Sequence, residues 1–205
     1  MKLHYLLIPL GIIAIAAVAV GVYQANSAPL PEGFPSPTPD RKIEVKSYPA
    51  YRAATYHYQG NLAEAANQAF YPLYQHISSN QISMTAPVET RYPSSTLETA
   101  GSLDPQGEAS VSFLYRSTNI YPEAIANNIQ IEDIPPMTVV SLGLQGGYSY
   151  GNYREGLVRL EDWLRQNPQY EVVGSPRRFF YDGPYIPDAL KRSEIQIPIR
   201  PNSLK

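Results

Sequence analysis

The chain has 205 residues, which is enough for one ordinary domain with additional segments at its ends. It contains no cysteine, and this excludes a disulfide scaffold, a thiolate-bound zinc or iron site, and a lipoprotein anchor. The 16 basic and 18 acidic residues give a net charge of −2 without any block of Lys or Arg, so the sequence lacks the basic patch that nucleic-acid binding requires.

Residues 1–27 are predicted to be a signal anchor, crossing a membrane as a helix, or a cleaved signal peptide. The run 6–22 is uncharged, Lys2 precedes it, and no Lys or Arg follows before Arg41. This distribution keeps the N-terminus in the cytoplasm and exports the rest of the chain. The small residues of Ala25-Asn26-Ser27 suit signal peptidase, and a buried helix of the globular domain is the third alternative. We therefore expect a membrane-anchored domain on the extracytoplasmic side, or a secreted or periplasmic protein if the segment is cleaved.

Residues 28–40 are predicted to form a proline-rich linker. Five of these residues are proline. Proline restricts φ and removes amide donors, and this density favours an extended, polyproline-like spacer over packed structure. The folded domain should therefore comprise residues 41–205.

The domain resembles two copies of one unit. Each copy begins with Ile-Glu, at residues 43 and 131, and later reaches a Gly-Asn step with a glutamate three residues on. Asn61 and Asn152 are predicted to cap the two helices, with the glutamates at N3. The first helix should span 62–78, bend at Pro72, and bury Leu62, Ala66, Ala69, Phe70, Leu73 and Ile77. The second should span 153–166 and bury Tyr153, Leu157, Leu160 and Leu164.

The rest of the domain is predicted to be mainly strands. Segment 81–88 alternates apolar and polar residues, and further strands are expected at 110–116, 137–144, 171–173, 177–181 and 194–199. The acidic strand residues are expected to point outward; these are Glu44, Glu89, Glu132 and Glu171. The predicted fold class is α+β, with a duplicated β-α-β-β unit and a mostly antiparallel sheet that carries both helices.

Three patches of the sequence resemble the SOUL haem-binding family. They are Ile43-Glu44-Val45-Lys46-Ser47-Tyr48-Pro49; the run Met84-Thr85-Ala86-Pro87-Val88; and a closing region with Tyr170-Glu171-Val172-Val173-Gly174-Ser175-Pro176, Phe180-Tyr181 and Arg192-Ser193-Glu194-Ile195-Gln196-Ile197-Pro198. The resemblance covers residues 41–200. It implies a barrel-like form of the duplicated sheet, similar also to bacterial effector-binding domains. It further implies non-enzymatic, exchangeable binding of haem or a related tetrapyrrole in a shallow groove beside the first helix, as in a carrier or buffer.

Two positions depart from the family pattern. Some members carry a histidine, proposed as an iron ligand, before the tyrosine of the opening strand, where this chain has Ser47. Some members also place basic residues on the first helix to meet the haem propionates. Aligned on Pro72, those positions are Gln68 and His76.

The candidate cofactor-binding residues are Gln68, Tyr71, Gln75 and His76. The first three share the helix face opposite the apolar stripe, where Tyr71 could stack on a porphyrin and the amides could bond its edge. His76 lies at the edge of the stripe and is the candidate axial metal ligand. It could instead pair with a propionate or cap the last carbonyls of the helix.

Other candidate ligands have simpler structural interpretations. Met84 is expected to fill the core, and His57 is expected to point outward from its strand. Arg177 and Arg178 are consecutive on a strand and face opposite sides, so at most one of them could meet a propionate.

The sequence contains no nucleophile elbow, no His-Glu-x-x-His and no phosphate-binding glycine loop. Two alternatives to tetrapyrrole binding remain. One is a small-molecule effector or protein-interaction module of the same fold without haem. The other is a tetrapyrrole-modifying enzyme or hydrolase.

Overall fold

A computed structural model describes residues 28–98 and 105–202. The predicted signal anchor or signal peptide, residues 1–27, lies outside these ranges. Within them, no helix has the length and apolar character needed to cross a membrane.

The described ranges contain nine strands and three α-helices. The strands are β1 (Ile43–Tyr48), β2 (Tyr51–Asn61), β3 (Val88–Arg91), β4 (Gln106–Leu114), β5 (Gln130–Ile134), β6 (Met137–Gln145), β7 (Tyr170–Val172), β8 (Arg177–Phe180) and β9 (Arg192–Pro201). The helices are α1 (Ala65–Ser79), the short α2 (Ser95–Glu98) and α3 (Tyr150–Gln166), and a 3-10 turn spans Asp188–Leu190.

The sheet is antiparallel, with the strand order β1-β6-β9-β8-β3-β4-β2-β5 and with β7 paired to β9. The first copy, β1-β2-α1-β3-β4, corresponds to β5-β6-α3-β8-β9. If each strand is replaced by its counterpart in the other copy, the strand order reads the same from the opposite end. This is expected for two copies related by an approximate twofold axis between β3 and β8. The α+β class and the antiparallel sheet are confirmed. The sheet is not closed into a barrel, because β1 and β5 form its two ends.

Both helices begin three residues away from their predicted starts. In α3 the N-cap is Ser149, whose hydroxyl accepts the Asn152 N–H at 3.1 Å, so the helix starts before the Gly-Asn step. In the first copy, the Asn61 side chain accepts the Ala63 N–H at 3.0 Å. This bond fixes a turn that precedes α1.

The strand predicted at 81–88 is wrong over most of its length, because only Val88 belongs to a strand. Polar groups of this run bond outside any strand ladder: the Ala86 N–H donates to the Pro29 carbonyl at 3.0 Å, and the Thr85 hydroxyl donates to the Leu114 carbonyl at 2.5 Å. The alternating pattern of 81–88 therefore marks an extended segment whose polar groups bond to neighbouring loops and strand ends instead of to a strand ladder.

Helices α1 and α3 pack on the same face of the sheet. Their buried side chains form one continuous apolar cluster with the inward residues of the strands, including Leu73, Phe113, Leu157, Ile195 and Ile197. The opposite face carries two smaller clusters, which include Tyr48, Tyr51 and Phe179, and Phe34 packs against both.

Residues 28–40, here called the strap, lie on the sheet face opposite the helices. The Phe34 ring lies 5.0 Å from Tyr48 and 5.3 Å from Tyr51, and both Pro31 and Thr38 are buried. The prediction of an unpacked linker is therefore wrong. Proline density does exclude a helix or central strand, but it does not prevent an extended chain from packing its side chains on a sheet.

Candidate functional site

Helix α1 presents three large aromatic side chains to solvent. Phe70 is 45% exposed, Tyr71 65% and Tyr74 50%. Phe70 and Tyr74 are one helical turn apart, and their rings lie 6.0 Å apart with only 7° between their planes. The two rings are therefore nearly parallel, and they form an exposed aromatic surface on the helix that a planar ligand can contact.

The core fixes the position of this surface. Phe70 also meets the buried Phe113 of β4 edge-on, with ring centroids 5.4 Å apart. The sequence predicted Phe70 in the buried stripe, but the buried residues of α1 are Ala65, Ala69, Leu73, His76 and Ile77. The alanines bring the helix close to the sheet, and Phe70 lies at the margin of that contact.

Gln68, Tyr71 and Gln75 lie together on the exposed side of α1, as predicted. The Gln75 amide donates to the Tyr71 hydroxyl at 2.8 Å, so these two polar ends are already associated. Helix α1 contains no Lys, Arg, Asp or Glu. Its exposed side therefore offers neutral donors and acceptors beside an aromatic surface.

The structure does not bring His76 into this group. His76 is 3% exposed, its Nε2 lies 2.7 Å from the Tyr115 hydroxyl, and its Nδ1 lies 3.5 Å from the Asn80 amide nitrogen. Burial lowers the pKa of His76, which favours the neutral imidazole. The expectation of a half-exposed histidine, free for iron, a propionate or helix carbonyls, is not met. The residue joins α1 to β4 inside the domain.

The remaining candidate ligands also lie away from α1's exposed side. Met84 packs against the helix-side core, as expected, and the exposed His57 bonds Ser110 at 3.1 Å. Arg177 and Arg178 do face opposite sides of the sheet, but both are buried. Among the described residues, no group of three or more His, Asp or Glu side chains is placed to hold a metal ion.

A buried polar network fills the strap side of the sheet. Arg177 donates to Glu89 at 3.2 Å, to the Tyr51 hydroxyl at 2.9 Å and to Gln196 at 2.8 Å. The prediction that Glu89 points outward is wrong, since its side chain is 0% exposed. The sequence signal that could have revealed this network is the basic Arg177 amid the strand aromatics, because a buried Arg requires an acidic partner.

Comparison with solved structures shows the fold. The crystal structure of the EcmrR C-terminal domain is 20% identical, with a TM-score of 0.62, covering 78% of this chain and 98% of that one. In the cryo-EM structure of an EcmrR–DNA complex the identity is 19% and the TM-score again 0.62, and this chain spans only 57% of the length of that protein. An uncharacterized conserved protein from Listeria innocua is 12% identical, with a TM-score of 0.60, covering 80% of this chain and 94% of that one.

A hydrolase from Listeria innocua shares the fold at a TM-score of 0.54 and 12% identity. None of the curated proteins matches this chain. The family model described as SOUL heme-binding protein matches residues 36–198, which is most of the chain. The chain therefore belongs to the SOUL haem-binding protein family.

Proposed function

We propose that this protein binds haem or a related tetrapyrrole without acting on it, against the exposed aromatic side of α1. The observation that carries the proposal is the exposed, nearly parallel Phe70–Tyr74 pair on a helix of a haem-binding family member. A porphyrin is a large planar apolar ring, so it gains most from exposed aromatic rings that are already ordered. The role that follows is that of a carrier or buffer.

The residues of α1 fit the ring better than they fit its carboxylates. Tyr71 would add contact area, and the amides of Gln68 and Gln75 would donate hydrogen bonds to the propionates. Neutral donors bind carboxylates less strongly than Arg or Lys would. Apolar contact therefore supplies most of the affinity, and we expect weak, exchangeable binding.

The proposed site does not use iron coordination by His76. To reach iron, His76 would have to leave its 2.7 Å contact with Tyr115 and move out of the core. Because the proposed contacts involve only the porphyrin ring and its edge, haem and metal-free protoporphyrin should bind with similar affinity.

The test is a titration of the protein with haem and with protoporphyrin IX, followed by the Soret band. Replacing both Phe70 and Tyr74 with alanine should raise both dissociation constants about 5- to 150-fold, because two ring contacts contribute ~1–3 kcal/mol together. Tyr185→Ala is the control, since Tyr185 is 82% exposed and lies outside α1. His76→Gln should leave the haem spectrum unchanged. Tight haem binding without protoporphyrin binding, or a Soret shift lost with His76, would contradict the proposal.

We also propose that residues 1–27 place the domain outside the cytoplasm, either as a membrane anchor or as a cleaved signal. The uncharged run after Lys2 supports this assignment. N-terminal sequencing of the protein from membrane and soluble fractions distinguishes the two forms. Recovery of the intact chain in the cytosol would contradict both.

A further inference from the structure

The strap places an aromatic side chain in a pocket of three rings on the sheet. Phe34 meets the edges of Tyr48 and Tyr51 and stacks on Phe179, with ring centroids 6.4 Å apart and 17° between their planes. The three receiving rings are buried, whereas Phe34 is only partly buried. Phe34 is therefore the outermost ring of an aromatic seat that belongs to the sheet.

Two opposite charges beside this seat contact the strap along its backbone. Lys46 Nζ donates to the Ser36 carbonyl at 2.6 Å and to the Thr38 hydroxyl at 3.1 Å, and it pairs with Glu194 at 3.0 Å. Glu194 in turn accepts the Thr38 N–H. Both charged side chains are buried, so they need these partners. The groove thus binds an aromatic ring, a carbonyl two residues later and an N–H four residues after the ring.

The sheet holds these groups in place through its own contacts. The Tyr48 hydroxyl donates to Glu194 at 3.2 Å and accepts from Gln196 at 2.8 Å. The Arg177 guanidinium lies 5.3 Å from the Tyr48 ring centroid and 4.7 Å from that of Phe179. A seat fixed in this way is preorganised for its occupant, which lowers the entropic cost of binding.

The strap itself has few main-chain anchors. Near Phe34 its backbone bonds to the rest of the domain are single contacts: the Glu32 N–H donates to the Arg116 carbonyl at 2.9 Å, and the Pro29 carbonyl accepts the Ala86 N–H at 3.0 Å. The Phe34 N–H donates within the strap, to the Pro31 carbonyl at 3.2 Å. Its five prolines have no N–H to donate, so it cannot form a full ladder with the sheet. Side-chain contacts and single hydrogen bonds therefore hold the strap around Phe34, and strand-type pairing begins only at its end, where Asp40 forms a parallel bridge with Gly143.

We propose that this groove is a recognition site for extended, proline-rich peptides with an aromatic anchor, and that the strap is its intramolecular occupant. The partner is a protein segment with the same chemistry as the strap: an aromatic residue, and prolines that keep the chain extended. Its backbone offers a carbonyl to Lys46 two residues after the aromatic residue and an N–H to Glu194 four residues after it. This site lies on the sheet face opposite α1, so it is independent of the proposed tetrapyrrole site.

The strap competes with such a partner through its high local concentration. A tethered segment is present at an effective concentration of about millimolar, so a free peptide binds the intact protein only weakly. Weakening the strap at its anchor should open the groove to a peptide added in solution.

The experiment uses the full chain carrying Phe34→Ala and a fluorescent synthetic peptide of residues 28–41, with binding followed by anisotropy. The variant should take up one equivalent of this peptide at least tenfold more tightly than the unaltered chain does. A matched peptide with Phe34→Ala should bind the variant at least tenfold more weakly. Thr38→Pro, which keeps Phe34 but removes the N–H that Glu194 accepts, is a second opened chain and should also gain peptide binding.

Near-UV circular dichroism and a thermal melt establish that each variant is folded, and haem affinity should be unchanged in both. A folded variant that takes up neither peptide, or both equally, would show that the strap is only a structural cover and would overturn the proposal. Concentration-dependent dimerisation of the unaltered chain without peptide uptake by the variants would assign the groove to a second copy and would also overturn it. Loss of haem binding with intact peptide binding would reject only the α1 proposal.

Discussion

Replacing Arg177 with methionine should be one of the most damaging single changes in the domain. Arg177 is 1% exposed and donates to Glu89, Tyr51 and Gln196. Methionine fills similar space but takes the guanidinium away from the fully buried carboxylate of Glu89, which keeps the hydrogen bond that the Tyr51 hydroxyl donates at 3.0 Å. Removing one partner of a buried ion pair costs about 3–5 kcal/mol, because the remaining charge is desolvated and uncompensated.

The free energy of unfolding can be measured in guanidinium chloride with the fluorescence of Trp163, the single tryptophan of the chain. A loss of this size corresponds to a melting temperature about 6–20 °C lower for a domain of this length. The double variant Arg177→Met with Glu89→Gln removes both charges and should recover part of the stability. This account of the network would be refuted if Arg177→Met unfolded with a free energy within about 1 kcal/mol of the unaltered protein. It would also be refuted if the losses of the two single variants simply added in the double variant.

Three further changes test other parts of the fold. Gly156→Ala should lower the free energy of unfolding in urea by about 1–3 kcal/mol, because the added Cβ would lie 2.2 Å from Ile195 Cδ1. Gly151→Ala is the control and should be neutral or stabilising, because the nearest atom to its Cβ is 3.8 Å away. Ser149→Ala should cost about 1 kcal/mol by the same assay through loss of the α3 N-cap, and an unchanged midpoint would reject that cap. His76→Gln should alter the pH dependence of thermal unfolding. Burial lowers the pKa of His76 in the folded protein, so the folded state favours the neutral imidazole. The contribution of His76 to the free energy of unfolding is therefore fully present above the unfolded pKa of about 6.5 and is lost as the pH falls below it. The advantage of the unaltered protein over the variant should therefore shrink from pH 8 to pH 5, and a constant difference would contradict the buried neutral state.

Local patterns predicted the parts of the fold that local interactions determine. The repeated Ile-Glu and Gly-Asn signals indicated a duplication, and the symmetric strand order agrees with it. The exposed positions of Gln68, Tyr71 and Gln75 followed from helical spacing, while their contact with a ligand stays a prediction.

Positions that depend on distant contacts were predicted less well. The alternation of β3 and β8 cannot show that both sheet faces are buried, so Glu89 looked like a surface residue. The orientation of α1 depends on a turn that delays its start to Ala65. Its buried stripe runs through Ala65, Ala69 and His76, and Phe70 lies at the margin. Periodicity alone leaves such a rotation undetermined, because neighbouring stripes contain similar numbers of apolar residues.

The packed strap also determines where the preceding part of the chain enters the domain. A free polyproline-like spacer of this length would extend about 40 Å and let the domain turn in any direction. Here Ala28 already packs against the same cluster as Phe34, so the chain is in contact with the domain from residue 28 onward. The residues before Ala28 therefore join the domain on its strap side, on the sheet face opposite the one that carries α1 and its exposed aromatic rings.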